Sequence, residues 1–105
     1  DPEQIEQVLI NLIINSIHAL EHTTNPAITV DAGLDELGRI RILVRDNGPG
    51  IPLDQVDKVF IPFYTTKKAG SGIGLSISRQ IMQMHKGSIT LQSEAGGGTV
   101  VRLRF

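Results

Sequence analysis

Cysteine and tryptophan are absent from the 105 residues, and tyrosine occurs once. The missing thiols exclude a disulfide framework and a thiolate-held metal, while leaving the compartment open. With three phenylalanines as the other aromatics, any core has to be aliphatic, and a 40% hydrophobic content is enough to build one. An excess of charge is lacking too. Ten basic and eleven acidic side chains leave a formal net charge of −1. The basic stripe of a duplex-binding surface is therefore missing, and nucleic acid is not an expected partner. No apolar run reaches the ~18 residues of a membrane span, because Asn11 and Asn15 interrupt the best candidate. No signal peptide is visible. The length fits one compact domain. Since the chain opens directly on a helix-start signal, it is expected to be a piece of a longer protein.

Asp1-Pro2-Glu3-Gln4 has the chemistry of a helix start: a capping carboxylate, a proline at the first helical position and a glutamine where a capping box closes. The helix is predicted to run to about Glu21. Ile28, Val30, Ala32 and Leu34 then alternate with other residues, as do Ile40, Ile42 and Val44, with Asp35-Glu36-Leu37-Gly38 turning the chain between them. Asp46-Asn47-Gly48-Pro49-Gly50 stops the second strand. Residues 52–59 suit a short helix, and 60–74 a long connection of the kind that forms functional lids. A helix is predicted over 74–85, terminated by Gly87. A second hairpin follows through Ile89 and Leu91, the Gly96-Gly97-Gly98 turn, and Val101, Leu103 and Phe105. The order helix, hairpin, lid, helix, hairpin predicts an α+β fold: one sheet covered by helices on one face.

The first helix has an unusual polar pattern. At about 100° per residue, Gln4, Gln7, Asn15, His18 and His22 fall within roughly 40° of Asn11. Isoleucine, leucine and valine occupy the remaining circumference. A surface helix has a broad charged face; this one is apolar almost all round with a narrow seam of carboxamides and imidazoles. Buried polar groups need partners, so the seam is expected to face a cleft, a ligand or ordered water. Two readings of Asn11 and Asn15 stay open: they satisfy neighbouring backbone, or they present hard amide oxygens to a hydrated cation such as Mg²⁺. The seam holds no carboxylate, so such a cation needs a second, anionic ligand.

Two glycine-rich segments add to this. In Asp46-x-Gly48-x-Gly50, followed by Ile51, the glycines permit positive φ and close approach of backbone to a ligand. The carboxylate beside them is able to accept from an exocyclic amine, as on adenine; a tight turn with a solvated Asp46 fits the same residues. Gly70-Ser71-Gly72-Ile73-Gly74-Leu75 leads into a helix, whose first amides and dipole favour a phosphate. Lys67 and Lys68 lie just upstream. The segment is neither a P-loop nor a dinucleotide loop, since it lacks the Lys-Ser/Thr ending of the first and the preceding strand of the second. A flexible linker remains an alternative for residues 70–72.

In this order and spacing, the segments resemble the GHKL ATPases, named for gyrase, the heat-shock chaperone, histidine kinases and mismatch-repair proteins. Residues 7–16 (Gln-Val-Leu-Ile-Asn-Leu-Ile-Ile-Asn-Ser) resemble the N box, 46–51 the first glycine box, Phe60-Ile61-Pro62-Phe63-Tyr64 the F box, and 70–75 the second glycine box. Gly96-Gly97-Gly98-Thr99 resembles the closing glycine-threonine element. The resemblance covers essentially the whole chain. It implies a two-layer α/β sandwich of the Bergerat type, with a mixed sheet, that binds ATP or ADP with Mg²⁺. It assigns Asn15 to the metal, with Asn11 supporting. Asp46 reads the adenine amine, Gly48, Gly50 and Ile51 shape the base pocket, and Thr99 adds a polar contact. His18, Tyr64, Lys67, Gly70, Ser71, Gly72, Ile73, Gly74 and Leu75 complete the nucleotide site. A helix-surface role fits His18 equally well, and core packing fits Phe60.

Clamp-type members carry a glutamate one turn before the metal-binding asparagine, where this chain has Asn11. An amide cannot take a proton from water at neutral pH, so fast hydrolysis lacks its base. That favours the histidine kinase branch, in which the γ-phosphoryl group goes to a histidine on a separate phosphoacceptor domain. The phosphoacceptor domain and the family's usual first strand are not in this sequence, and none of His18, His22 or His85 sits in a phosphoacceptor context; no catalytic histidine is expected here. The implied partners are that phosphoacceptor domain and a response regulator, in the cytoplasm, without direct membrane contact by this domain and with a parent that is free to be membrane-anchored. Three rivals share the fold: a serine kinase of the anti-sigma-factor type, a clamp ATPase, and a non-catalytic interaction module.

Overall fold

The computed structural model describes residues 2–51, 74–94 and 96–105. Two helices, α1 (Pro2–Ala19) and α2 (Gly74–Met84), lie against four strands: β1 (Ile28–Leu34), β2 (Ile40–Asp46), β3 (Ser88–Glu94) and β4 (Gly98–Arg104). The strand order is β1-β2-β4-β3. This is the α+β, two-layer arrangement expected, with one difference: every pairing among the described strands is antiparallel, not mixed. The reason lies in which strand of the second hairpin meets the first. β4 docks beside β2, so β2 and β3, which run in the same direction, are separated by β4 and never pair. The predicted short helix at 52–59, the F box and most of the lid lie outside the described residues.

The alternation that predicted the strands also sorts their side chains. Ile42, Val44, Leu91, Ile89, Val101 and Leu103 share the helix-facing side, in register as the rungs Val44–Val101–Leu91 and Ile42–Leu103–Ile89. Val8 and Leu12 of α1 and Ile81 and Met82 of α2 close over these rungs to form one core, with Leu75 packed against it. Each fully buried member (Val8, Leu12, Met82 and Leu103 among them) contributes about 1.5–3 kcal/mol. By comparison, the exposed Arg41–Asp31 ion pair at 3.3 Å adds at most about 1 kcal/mol. The apolar layer therefore decides how the helices sit. Each helix also buries a serine, Ser16 and Ser78, and among the described residues no buried side-chain polar atom lacks a partner.

Three local outcomes differ from the sequence reading. First, α1 is not buried all round: Val8, Leu12 and Ser16 face inward, whereas Ile10, Ile14 and Ile17 are exposed on the opposite side. Second, α1 ends at Ala19 and the chain tightens through shorter-range turns, with the Leu20 amide donating to Ile17 and Thr23 to Leu20. Third, the residue that stops α2 is Lys86, at φ 61°. Its amide donates to the Gln83 carbonyl while that of Gly87 reaches back to Met82, the two bonds of a Schellman motif with lysine at the left-handed position. Gly87 is glycine for another reason, since a Cβ there would overlap the Arg104 carbonyl of β4. His85 is structural, as expected, its Nδ1 2.8 Å from the Ile81 carbonyl oxygen. Among the described residues no helix is long and apolar enough to cross a membrane.

Candidate functional site

At one end of the sheet the apolar rungs give way to a polar one. The helix-facing series Ile42-Val44 of β2 ends in Asp46, that of β3 (Ile89, Leu91) ends in Ser93, and that of β4 begins at Thr99; register places Asp46 opposite Thr99 and Thr99 opposite Ser93. Asp46 and Thr99 are 7% and 8% exposed, so these polar groups sit inside the layer and need partners. Asp46 Oδ1 accepts from the Gly48 amide at 3.0 Å. Its second oxygen makes no hydrogen bond among the described residues. Thr99 Oγ1 lies 2.9 Å from Ser93 Oγ, which also accepts from the Ile51 amide at 2.6 Å.

The first glycine loop is fastened at both ends. Asn47 clamps the segment before β1: its Oδ1 accepts from the Ala27 amide at 2.8 Å and its Nδ2 donates to the Asn25 carbonyl at 2.9 Å. The far end is tied to the second hairpin by Ile51 and by the Gly96 amide, which donates to the Pro49 carbonyl at 2.6 Å. Gly50 takes the positive φ foreseen for it, 77°. Gly98, at φ 84°, passes so close to β2 that a Cβ would overlap the Asp46 carbonyl oxygen. The glycine beside Thr99 thus lets the two hairpins meet at the polar rung.

The seam of α1 approaches this loop from the helix layer. Asn11 and Asn15 are half-buried, neither sealed in the interior nor fully exposed. Asn11 Oδ1 accepts from Gln7 Nε2 at 3.1 Å, one turn earlier, and Asn15 makes an interaction of its own. Further along, His18 and His22 join Asn47, Gly48 and Pro49 around a depression of about 350 Å³. A second depression, of about 370 Å³, lies around Thr29, Arg45 and Val100, side chains on the sheet face away from the helices.

Of the nucleotide-site residues expected from the sequence, the structure gathers Asp46, Gly48, Gly50, Ile51 and Thr99 at one sheet end, with His18 against the same loop. Gly74 opens α2, and the Leu75 side chain packs into the core. Tyr64, Lys67, Gly70, Ser71, Gly72 and Ile73 lie outside the described residues. Sequence reasoning missed Ser93 and the clamping role of Asn47. A signal for Ser93 was present: a hydroxyl continues the inward phase of Ile89 and Leu91, as Asp46 continues that of Ile42 and Val44. No group of three His, Cys, Asp or Glu able to hold a metal occurs among the described residues.

Comparison with known proteins fits this geometry. Sensor histidine kinase ZraS of Salmonella typhi is 41% identical over 100 residues, spanning 95% of this chain and 21% of the relative. The chain thus covers about a fifth of the length of the ZraS proteins it matches. Among solved structures, the catalytic domain of histidine kinase ThkA in a nucleotide-free form superposes with a TM-score of 0.83 at 37% identity, over 100% of this chain and 68% of that one. Full-length ShkA in complex with AMPPNP gives a TM-score of 0.80 at 27% identity, over 96% of this chain and 21% of that one. All of residues 1–105 match one family, and the chain accordingly belongs to the histidine kinase-, DNA gyrase B-, and HSP90-like ATPases.

Proposed function

We propose that this chain is the nucleotide-binding catalytic domain of a sensor histidine kinase, holding Mg·ATP and presenting its γ-phosphoryl group to a histidine on a separate phosphoacceptor domain. The observation that carries the proposal is the polar rung. A largely buried aspartate whose second oxygen is accessible and unengaged among the described residues, a buried threonine and a fastened glycine loop converge at one sheet end, beside the carboxamide seam of α1. An adenine amine is a suitable donor to that oxygen. The relatives' names support the kinase reading, as does the AMPPNP held by ShkA.

The phosphates are proposed to lie toward the start of α2, where the helix dipole and N-terminal amides favour anions, with Tyr64, Lys67, Gly70, Ser71, Gly72, Ile73, Gly74 and Leu75 around them. Asn15, supported by Asn11, supplies neutral hard oxygens of the kind Mg²⁺ accepts. The described residues fit the ion only in company with an anionic ligand, because no acidic cluster is present among them. When bound, the ion neutralises charge on the phosphate oxygens. The chain's own part is to orient the nucleotide and shield it from water, so catalysis is positioning and electrostatics. Asn11, where a water-activating glutamate would stand, keeps hydrolysis slow.

Calorimetric titration with ADP, with and without Mg²⁺, followed by mixing with a phosphoacceptor domain and ATP, tests the reading. Mg²⁺-dependent binding and an acid-labile phosphoprotein are expected. Absence of nucleotide binding would sink it, and an acid-stable phosphoserine would move the chain to the serine-kinase branch.

A further inference from the structure

Ser93 belongs to no motif, yet its hydroxyl is the most heavily engaged in the site. It lies 2.6 Å from the Ile51 amide nitrogen, 2.9 Å from Thr99 Oγ1 and 3.1 Å from the Gly98 carbonyl oxygen. A serine hydroxyl has one proton to give and two lone pairs to accept with. The Ile51 amide can only donate and the Gly98 carbonyl can only accept, so those two contacts fix one lone pair and the single proton. The remaining lone pair faces Thr99, which must then donate its own proton to Ser93. The reverse assignment, Ser93 donating to Thr99, would set the Ser93 and Gly98 oxygens against each other at 3.1 Å with no proton between them. Only one wiring satisfies all three neighbours.

That wiring has a consequence for Thr99. Its only proton points at Ser93, so toward the space beside Asp46 it offers lone pairs alone. Asp46 Oδ1 is engaged by the Gly48 amide, and the rest of that carboxylate likewise only accepts. The two buried residues of the rung therefore show one polarity, acceptor and acceptor. A purine with an amino group at the six position brings protons to that edge. A purine with a carbonyl there sets a third group of lone pairs against them at the six position, its nearest proton lying on N1 instead, and the unmatched acceptors weaken binding.

We propose that Ser93 is a positioning residue for base selection: by holding the Thr99 hydroxyl as an acceptor and the Ile51 amide in place, it makes the rung prefer 6-aminopurine over 6-oxopurine nucleotides. This rests on the nucleotide reading of the site and goes beyond it by naming what sets the discrimination. Without the Ser93 hydroxyl, Thr99 is free to rotate and donate, and the edge then accommodates a carbonyl.

The test compares ADP with IDP, which differ at the six position and in the N1 proton that accompanies the carbonyl, and lack the confounding amine of guanine. Affinities are measured by calorimetry with Mg²⁺ on the wild-type chain and on Ser93→Ala, Ser93→Thr and Thr99→Val, with thermal melts alongside. The wild type is expected to prefer ADP. In Ser93→Ala that preference should contract about tenfold, and Ser93→Thr, which restores the hydroxyl, should recover it. Thr99→Val keeps the β-branched shape without the hydroxyl and should contract the preference too, so the inference stays testable if Ser93→Ala folds poorly. A folded Ser93→Ala, or Thr99→Val in its place, that retains the wild-type ADP:IDP ratio overturns the inference, even if both affinities fall together. A wild-type chain that binds neither nucleotide overturns the nucleotide reading itself, and this inference with it.

Discussion

The sheet has an aspartate at each end, and the two are used differently. Asp35 follows β1 at one end, and Asp46 closes β2 at the other. Asp35 Oδ1 accepts from the Leu37 and Arg39 amides, both at 2.9 Å, and Oδ2 from Arg104 Nη2 at 2.8 Å and Nε at 3.3 Å. Both oxygens are thus engaged within the protein, locking the β1–β2 turn to the end of β4, where the Phe105 amide also donates to the Ile40 carbonyl. Asp46 is at least as well buried but makes a single side-chain bond among the described residues, to Gly48. A carboxylate satisfied on all sides holds structure together. One that is buried and only partly satisfied is a group a ligand can complete.

The sharpest way to break this contrast is to delete each carboxylate and read both binding and stability. Asp46→Ala is expected to weaken Mg²⁺-dependent ADP binding about 10- to 100-fold, the range for a hydrogen bond to a charged group, with a modest change in melting temperature. Asp35→Ala should do the reverse, leaving calorimetric ADP affinity unchanged while lowering the melting temperature by more than Asp46→Ala does. If Asp35→Ala loses nucleotide and Asp46→Ala does not, the ends have been assigned backwards.

A smaller effect sharpens the same comparison through pH. The side-chain hydrogen bond from Arg104, with the Arg39 and Leu37 amides, holds the Asp35 carboxyl below its ordinary value of 3.8, against a weaker opposing effect of partial burial. A depressed value in the folded state means that folding favours the ionised form. The stability this group supplies is complete above the unfolded value of 3.8 and is lost as pH falls through the lower folded-state value. The wild type should therefore melt above Asp35→Asn near neutral pH, and the two melting curves should converge as the buffer is taken below 3.8. A gap that persists in acid would assign the stabilisation to shape rather than charge.

How much of this could be read from sequence follows from the range of the interactions involved. Period-two alternation found all four strands, although β3 runs on to Glu94 and β4 starts already at Gly98, which the sequence reading left in the turn; the capping chemistry of Asp1-Pro2 and the apolar density of residues 5–20 placed α1. Those signals are local. Strand order is not: whether β3 or β4 meets β2 depends on long-range docking, and the described strands pair antiparallel where the resemblance implied a mixed sheet. The helix is apolar almost all round, yet Ile10, Ile14 and Ile17 face outward, because composition cannot say which side of a helix finds a partner. In the site, Asp46 stood out because glycines follow it, and Thr99 only through the family resemblance. Ser93 did not, since a serine late in a strand ordinarily faces water, and only its register opposite Thr99 reveals what it holds.

The smallest effect belongs to the structural end alone. Lys86 precedes β3, whose first residue, Ser88, is the register partner of Arg104, and its φ of 61° places a side chain in the left-handed region. A Cβ is strained there and glycine is not. The Schellman bonds through the Lys86 and Gly87 amides need only backbone, so Lys86→Gly keeps the cap while relieving the strain, offset in part by the greater freedom of an unfolded glycine. A gain of about 0.5–1 kcal/mol is expected in denaturant unfolding, with ADP affinity unchanged because the polar rung lies at the other end of the sheet. A loss of stability would mean that the lysine side chain holds something at this corner that the backbone cap does not. A change in ADP affinity would mean that the two ends of the sheet are coupled through β3.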